Sequence, residues 1–165
     1  MSPRAAWRLD SFGFSDVYDY AAGKLDWPAA GLPTEGSNNA RPRAGKLARK
    51  DVATCALEER LADVLHRVRD SGWNVCVVVN ERRVVSGLLR AKELGGDGEL
   101  LIKDVMRPGP STFRPHVPIR EMATFMTEHD LESSPITSSD GKLIGILLRD
   151  DAVAAARQEN GTAHG

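Results

Sequence analysis

The sequence has four histidines and two cysteines, which are residue types that commonly bind transition metals, and a cysteine thiolate can also act as a nucleophile. The histidines share no metal-ligand spacing with one another or with either cysteine, and two cysteines make neither a disulfide framework nor a zinc set. Cys76 alternates with valines, which is typical of a small buried hydrophobic residue. No Ser-His-Asp order, phosphate-binding glycine loop or paired-carboxylate motif stands out. The sequence therefore predicts no metal site and no catalytic residues.

Two acidic residues follow two glycine-containing strands at the same distance. Glu93 comes six residues after Gly87, and Asp151 comes six residues after Gly145. Each acid falls at the start of a predicted helix, where the helix dipole favours a carboxylate by about 0.3–1 kcal/mol. The same carboxylates could accept hydrogen bonds from a ligand, so the residue types leave a structural and a binding interpretation open.

These acids belong to an internal repeat, which sets the organisation of the whole fold. A shift of 58 residues carries Thr54 onto Thr112, Gly87 onto Gly145, and one acid onto the other without a gap. Apolar residues at helical spacing also coincide, and they are Leu61, Val64, Leu65 and Val68 in the first copy and Ile119, Met122, Ala123 and Met126 in the second. Each copy is predicted to run strand, helix, strand, strand, helix.

The strands are predicted from short apolar and β-branched runs. Val75 to Val79 is nearly all apolar, as expected of a strand that is buried on both faces. The predicted strands are 52–55, 75–79 and 84–89 in the first copy and 111–113, 134–138 and 143–148 in the second. Gly72 is expected to end the first helix, and Asp140-Gly141 is a strong hairpin-turn signal. The final helices are expected to begin near residues 91 and 150.

Composition excludes several classes of function. Of the 165 residues, 41% are hydrophobic and 27% charged, and the formal charge is −1. No global basic field exists to attract nucleic acid or an anionic membrane. No apolar run approaches the ~20 residues of a spanning helix, and the amino terminus does not resemble a signal peptide. We therefore expect a cytoplasmic protein that binds neither nucleic acid nor membrane.

Residues 1–36 differ from the rest, since they hold two of the three Trp and both Tyr. The run Phe12 to Lys24, with Trp27 and Ala30 to Pro33, resembles the closing segment of a rhodanese-like domain. That family's catalytic cysteine loop is absent, so the resemblance implies an extension without sulfur transfer. We expect its aromatic residues, Trp27 among them, to pack on the repeats or on a partner subunit.

Residues 37–45 have the composition of a linker, and five cations fall within residues 41–50. These cations are Arg41, Arg43, Lys46, Arg49 and Lys50. One interpretation is a solvated linker. The other is a basic edge on the repeats that faces the phosphates of a ligand.

Residues 46–157 resemble a tandem pair of cystathionine-β-synthase (CBS) domains, often called a Bateman module. The residues that carry the resemblance are Lys103 to Met106, Thr112, Ser134 to Ile136, Asp140-Gly141, Gly145-Ile146 and Asp151. The resemblance implies an α/β fold in which two repeats, 46–101 and 102–157, are related by a pseudo-twofold axis with clefts between them. Residues 158–165 would form a disordered tail.

Such modules commonly bind adenosyl ligands, and the resemblance implies a set of site residues here. Asp151 would accept hydrogen bonds from a ribose, and Glu93 is its counterpart in the first repeat. Arg90 stands where the family has a hydroxyl, and with Arg149 it could contact phosphate. The strands of Thr54 and Thr112, together with Ser134 and Ile136, would lie near the adenine.

The resemblance implies a regulatory module that is not an enzyme. Its ligand would be AMP, ADP, ATP, NAD or S-adenosylmethionine, and no other cofactor is implied. The family is usually dimeric, so we expect a homodimer that acts on an effector protein in trans. Because Leu148 and Arg90 depart from the family's hydroxyl-bearing signature, the alternative is a ligand-free dimerisation scaffold.

Overall fold

The computed structural model describes residues 8–17 and 41–162. Its helices are α1 (Ala44–Leu47), α2 (Leu61–Asp70), α3 (Ala91–Leu94), α4 (Ile102–Val105), α5 (Ile119–Glu128) and α6 (Arg149–Thr162). Its strands are β1 (Thr54–Cys55), β2 (Cys76–Val79), β3 (Val85–Leu89), β4 (Arg107–Pro108), β5 (Ser133–Thr137) and β6 (Leu143–Leu148). Residues 8–11 form a further helical turn.

In the first repeat, β1 to β4 form one sheet in that order. β1 is parallel to β2, whereas β3 is antiparallel to both β2 and β4. α2 buries Leu61, Val64 and Val68 against the sheet, because apolar residues three and four apart share one face of a helix. The helix ends where Gly72 takes a left-handed backbone with φ of 71°, as predicted.

The second repeat copies the pairing of the first at the 58-residue shift. The pair Cys76 and Leu89 recurs as Ser134 and Leu147, and each ladder has a register shift at the equivalent position. The parallel pairing of β1 with β2 recurs as a single bridge between Phe113 and Ile136. The predicted α/β fold of two repeats is therefore confirmed.

Two elements differ between the repeats. The predicted strand at 111–113 is reduced to the Phe113 bridge. α3 has four residues where α6 has 14, because Gly95 and Gly96 follow α3 and glycine disfavours helix, whereas alanine-rich sequence continues α6. The second repeat alone thus carries two long packed helices.

The segments that precede the two repeats are exchanged between them. Ala44 is buried and donates its N–H to the Val117 carbonyl at 2.9 Å, so residues 43–45 pack on the second repeat and the predicted linker is wrong there. The equivalent Ile102 donates to the Glu59 carbonyl of the first repeat at 3.0 Å. Each repeat therefore lends its leading segment to the sheet edge of the other.

A shared apolar cluster joins the two sheets. Its buried members are Val52, Val75, Val77 and Leu88 from the first repeat and Leu143 and Ile146 from the second. A single copy buries too little apolar surface to be stable alone, so this cluster and the exchanged segments make the two copies one folding unit.

The amino-terminal segment is described only in part. Phe12 is 66% exposed and Phe14 is 59% exposed, so neither packs on the repeats of its own chain. Trp27 and most of the rhodanese-like segment lie outside the described residues, and that resemblance stays a prediction. Within the described residues, no helix has the length and apolar character needed to cross a membrane.

Candidate ligand-binding site

Glu93 is the third residue of α3, and its carboxylate caps the start of that helix. Its Oε2 accepts a hydrogen bond from the Arg90 N–H at 3.0 Å, and its Oε1 lies 3.9 Å from Arg107 Nε. An acid at the third helical position that binds the capping residue's amide is one half of a capping box. The structural interpretation of Glu93 is therefore supported, because one carboxylate oxygen is already committed to the backbone.

Asp151 lies in the first turn of α6 and binds Arg49 with both carboxylate oxygens. Arg49 Nε is 2.9 Å from Oδ2, and Nη2 is 3.2 Å from Oδ1. These hydrogen bonds raise the pKa of the Arg49 guanidinium above its ordinary value. The guanidinium carbon also lies 5.8 Å from the centre of the Trp73 ring, which is within cation–π range.

The two arginine–acid contacts are related by the repeat. Arg49 and Arg107 are 58 residues apart, as are Asp151 and Glu93. Both arginines lie on the exchanged leading segments and both acids on the helix of the repeat that receives the segment. The sequence could have indicated this pairing, since the arginines share the spacing of the acids, but only the chain path brings them together.

A cleft of about 280 Å³ opens where strand ends of the two repeats meet. Three pairs of repeat-related residues line the cleft: Asn74 with Glu132, Val75 with Ser133, and Arg90 with Leu148. The first two residues of α6, Arg149 and Asp150, complete the lining. Arg90 Nε is buried and has no hydrogen-bond partner among the described residues. Arg149 Nη1 binds Asp130 at 2.9 Å, but Asp130 is exposed, and such pairs are weak. The cleft wall therefore holds two guanidinium groups that can bind an anion, beside the carboxylates of Glu132 and Asp150.

The remaining predicted site residues lie away from this cleft. Ser134 and Ile136 are buried in β5, and the Ser134 hydroxyl has no partner among the described residues. Thr112 is exposed and Thr54 is half-buried in β1. Arg90 and Arg149 are thus the two predicted residues that line the cleft, with Glu93 and Asp151 on the helices that begin beside it.

The proposed basic edge is largely used for internal contacts. Arg43 donates to the His116 carbonyl at 3.1 Å, Arg41 lies 3.9 Å from Glu159, and Arg49 is held by Asp151. These three cations bind groups of the second repeat, but Arg41 and Arg49 stay 69% and 49% exposed, so the interpretation of a basic edge that faces phosphate stays a prediction.

The two cysteines lie buried in the core of the first repeat. A hydrogen bond to Cys76, together with burial, raises the pKa of Cys55. A thiol whose pKa is raised is a poor nucleophile at neutral pH. In the described part of the chain, no cluster of three or more His, Cys, Asp or Glu residues is arranged to hold a metal ion.

Residues 102–157 match the family model of the CBS domain. An uncharacterized protein of Methanopyrus kandleri, MK0525, is 26% identical over 115 residues, which are 65% of this chain and 59% of that protein. Inosine-5'-monophosphate dehydrogenase of Korarchaeum cryptofilum is 28% identical over 111 residues, which are 66% of this chain and 23% of the enzyme. The chain thus spans less than two thirds of the length of either relative.

Solved structures with the same fold include CBSX2 of Arabidopsis thaliana in complex with AMP, with a TM-score of 0.64, 22% identity, and coverage of 72% of this chain and 98% of that one. The cytosolic domain of the Mg²⁺ channel MgtE in complex with ATP has a TM-score of 0.64 and 23% identity, and the match covers 68% of this chain and 48% of that one. The CBS domain pair of protein MJ0100, with 5-methylthioadenosine and S-adenosyl-L-methionine, has a TM-score of 0.62, 15% identity, and coverage of 74% and 98%. Residues 102–157 are thus similar to a CBS domain, and the fold is that of the solved CBS pairs.

Proposed function

We propose that this chain is a non-catalytic regulatory module that binds an adenosine-containing ligand between its two CBS repeats. The observation that carries the proposal is the cleft lined by equivalent positions of both repeats, with Arg90 and Arg149 in its wall. Asp151 lies in the first turn of α6, which begins at Arg149 in the cleft wall. The response to the ligand would pass to a separate effector protein.

The cleft has the chemistry that an adenine nucleotide requires. Guanidinium groups bind phosphate with charge-assisted hydrogen bonds, and a carboxylate accepts from both hydroxyls of a ribose. The solved CBS pairs with AMP, with ATP and with S-adenosyl-L-methionine support this class of ligand. Arg90 favours a phosphate-bearing member of the class, because a ligand phosphate would give its buried Nε a partner.

The ribose is proposed to bind at Asp151 and not at Glu93. Glu93 uses one oxygen to cap α3, and its withdrawal would leave the Arg90 amide unsatisfied. Asp151 makes its hydrogen bonds to the side chain of Arg49, which is free to move without opening a helix end. We therefore expect one ligand per chain at the Asp151 position.

A melting-temperature screen tests the proposal directly. The purified protein is heated with AMP, ADP, ATP, NAD or S-adenosylmethionine at millimolar concentration. A ligand present at 100 times its Kd adds about 2.7 kcal/mol to the free energy of unfolding of the protein. The melting temperature of the protein should therefore rise by several degrees. Affinity for AMP should also fall as salt rises, because screening weakens phosphate contacts at Arg90 and Arg149.

A specific observation favours the alternative, a ligand-free dimerisation scaffold. Both acids are already bound, Asp151 by Arg49 and Glu93 by the Arg90 amide. If no adenosyl compound shifts the melting temperature or produces heat in a titration at millimolar concentration, the scaffold is the correct function.

Under either function we propose a homodimer that uses the paired helices of the second repeat. The groove between α5 and α6 is lined by Ala123, Thr124, Thr127, Glu128, Val153, Ala156 and Arg157. Small side chains allow close approach of another helix, and Glu128 and Arg157 place opposite charges at the rim, where a two-fold mate would pair them. In the first repeat the counterpart of α6 is α3, which has only four residues, so an equivalent groove would be much shorter there.

Replacing Ala156 with glutamate should dissociate this dimer, because it places a charge within the packed groove. Light scattering at tens of micromolar is expected to give twice the 17.9 kDa chain mass for the wild type and the single mass for the variant. Ala154 is exposed on the same helix outside the groove, so Ala154→Glu should remain dimeric. A monomeric wild type contradicts the proposal.

A further inference from the structure

We propose that Arg49 competes with the ligand for Asp151, so that the empty site is closed by the chain's own side chain. This inference rests on the proposed function and concerns the regulation of that same site. Arg49 approaches the carboxylate as a fork, with Nε 2.9 Å from Oδ2 and Nη2 3.2 Å from Oδ1. Both oxygens that a ribose diol would use are therefore occupied.

The competition follows from the shape of the two partners. A guanidinium binds a carboxylate with two parallel hydrogen bonds, and a ribose diol bound through both hydroxyls would need the same two oxygens. Arg49 also lies near the Trp73 ring, with its guanidinium carbon 5.8 Å from the ring centre. Trp73 directly precedes Asn74, which lines the cleft, and Asp151 directly follows Asp150, which also lines it.

The side chain can leave Asp151 without moving the segment that carries it. Arg49 and Ile146 exchange both backbone hydrogen bonds, at 2.8 and 2.9 Å, and these bonds hold the segment on β6. Gly145 packs directly on this backbone, where a Cβ would lie 2.6 Å from the Arg49 carbonyl oxygen. Opening is thus a rotation of one side chain about a fixed main chain.

The strength of the ion pair sets the size of the effect. The two side chains are 49% and 31% exposed, and exposed pairs of this kind change an equilibrium by about 1.4- to 5-fold. A contact of that strength can be displaced by a ligand and still lowers the affinity measurably.

The repeat provides a matched control within the chain. Arg107 is the counterpart of Arg49, but it lies 3.9 Å from Glu93, and Glu93 Oε2 is committed to the Arg90 amide. If ligand binds at Asp151 alone, removing the charge of Arg107 leaves the affinity unchanged.

Adenosine is the probe that tests the competition, because it has the ribose but no charge. Calorimetric titration compares the wild type with Arg49→Met, which keeps an apolar stem near Trp73 and removes the guanidinium. Arg49→Met is expected to bind adenosine about 2- to 5-fold more tightly, and Arg107→Met is expected to match the wild type. Wild-type affinity should also rise between 50 and 500 mM salt, since salt screens the ion pair and not the neutral ligand, and this rise should vanish in Arg49→Met.

The outcomes separate this inference from the proposed function. If the wild type binds adenosine or AMP and Arg49→Met binds equally or more weakly, the competition is wrong while the proposed function stands. If neither protein binds any adenosyl compound at millimolar concentration, both fail. Binding by Arg49→Met alone would support the competition but overturn the proposed function of the natural protein, whose own site would then stay closed. The salt arm uses the unmodified protein, so it does not depend on the variant's folding.

Discussion

Replacing Asp151 with alanine is expected to weaken the binding of an adenosine-containing ligand by roughly ten- to a hundredfold. The removed carboxylate is the proposed acceptor for both ribose hydroxyls, and losing a charged hydrogen-bond partner costs about 1.5–3 kcal/mol. Calorimetric titration with adenosine and with AMP measures the effect. Both ligands should lose affinity by a similar factor, because they share the ribose.

The control for Asp151→Ala is Asp63→Ala, which removes the same charge from the first turn of α2, away from the cleft lining. Both acids interact favourably with a helix dipole, so both variants lose that interaction, and Asp151→Ala also loses its ion pair with Arg49. Adenosine affinity should fall in Asp151→Ala alone. Equal adenosine affinities in the wild type and Asp151→Ala would remove this carboxylate from the site, even if the ligand still binds elsewhere in the cleft.

The largest effect on stability is expected from Gly145→Ala, at about 1–3 kcal/mol of destabilisation. The added Cβ would lie 2.6 Å from the Arg49 carbonyl oxygen. That residue is held in place, because both its N–H and its carbonyl form hydrogen bonds with Ile146 of β6. The collision cannot be relieved by a rotamer change, so the exchanged segment must shift. Urea unfolding of the wild type and the variant measures the difference in free energy.

Two other glycine-to-alanine variants serve as controls for the destabilisation by Gly145→Ala. Gly87 is the equivalent position in the first repeat, where an added Cβ meets Met106 Sδ in a flexible side chain that can move aside, and lies 3.2 Å from the Arg107 carbonyl oxygen. Gly87→Ala should therefore cost less than Gly145→Ala. At Gly95 the nearest atom is 3.5 Å away, an ordinary contact, and Gly95→Ala should be neutral or slightly stabilising. If all three variants unfold alike, the Arg49 backbone is not the constraint that the structure shows.

The fold was predictable because the same pattern of helices and strands occurs twice in the sequence. The 58-residue shift aligns residues that share local roles, and apolar spacing at Leu61 and Val64 recurs at Ile119 and Met122. Periodicity of this kind reports which face of a helix or strand is buried, and it depends on neighbours within a few residues. The strand pairing and its register shift then follow from the same pattern in both copies.

Part of the candidate site was also predictable from the sequence. Arg90 and Arg149 were placed at strand ends and line the cleft. Glu93 was expected to have a structural role as the alternative to ligand binding, and its hydrogen bond to the Arg90 amide supports that role. Such capping contacts join residues three apart, so the local sequence contains all the information that they require.

The tertiary structure alone decided that Asp151 pairs with Arg49 and which repeat each leading segment joins. Residues 43–49 have the composition of a solvated basic linker, yet Ala44 is buried and Arg49 binds Asp151, 102 residues further along the chain. A charged residue has the same local pattern whether it faces water or an ion-pair partner from a distant segment, because the partner is chosen by the path of the chain. The sequence by itself thus determined the two repeats and their helices and strands, whereas the exchange of leading segments, and with it the Arg49–Asp151 ion pair, arises from packing between segments that no local pattern connects.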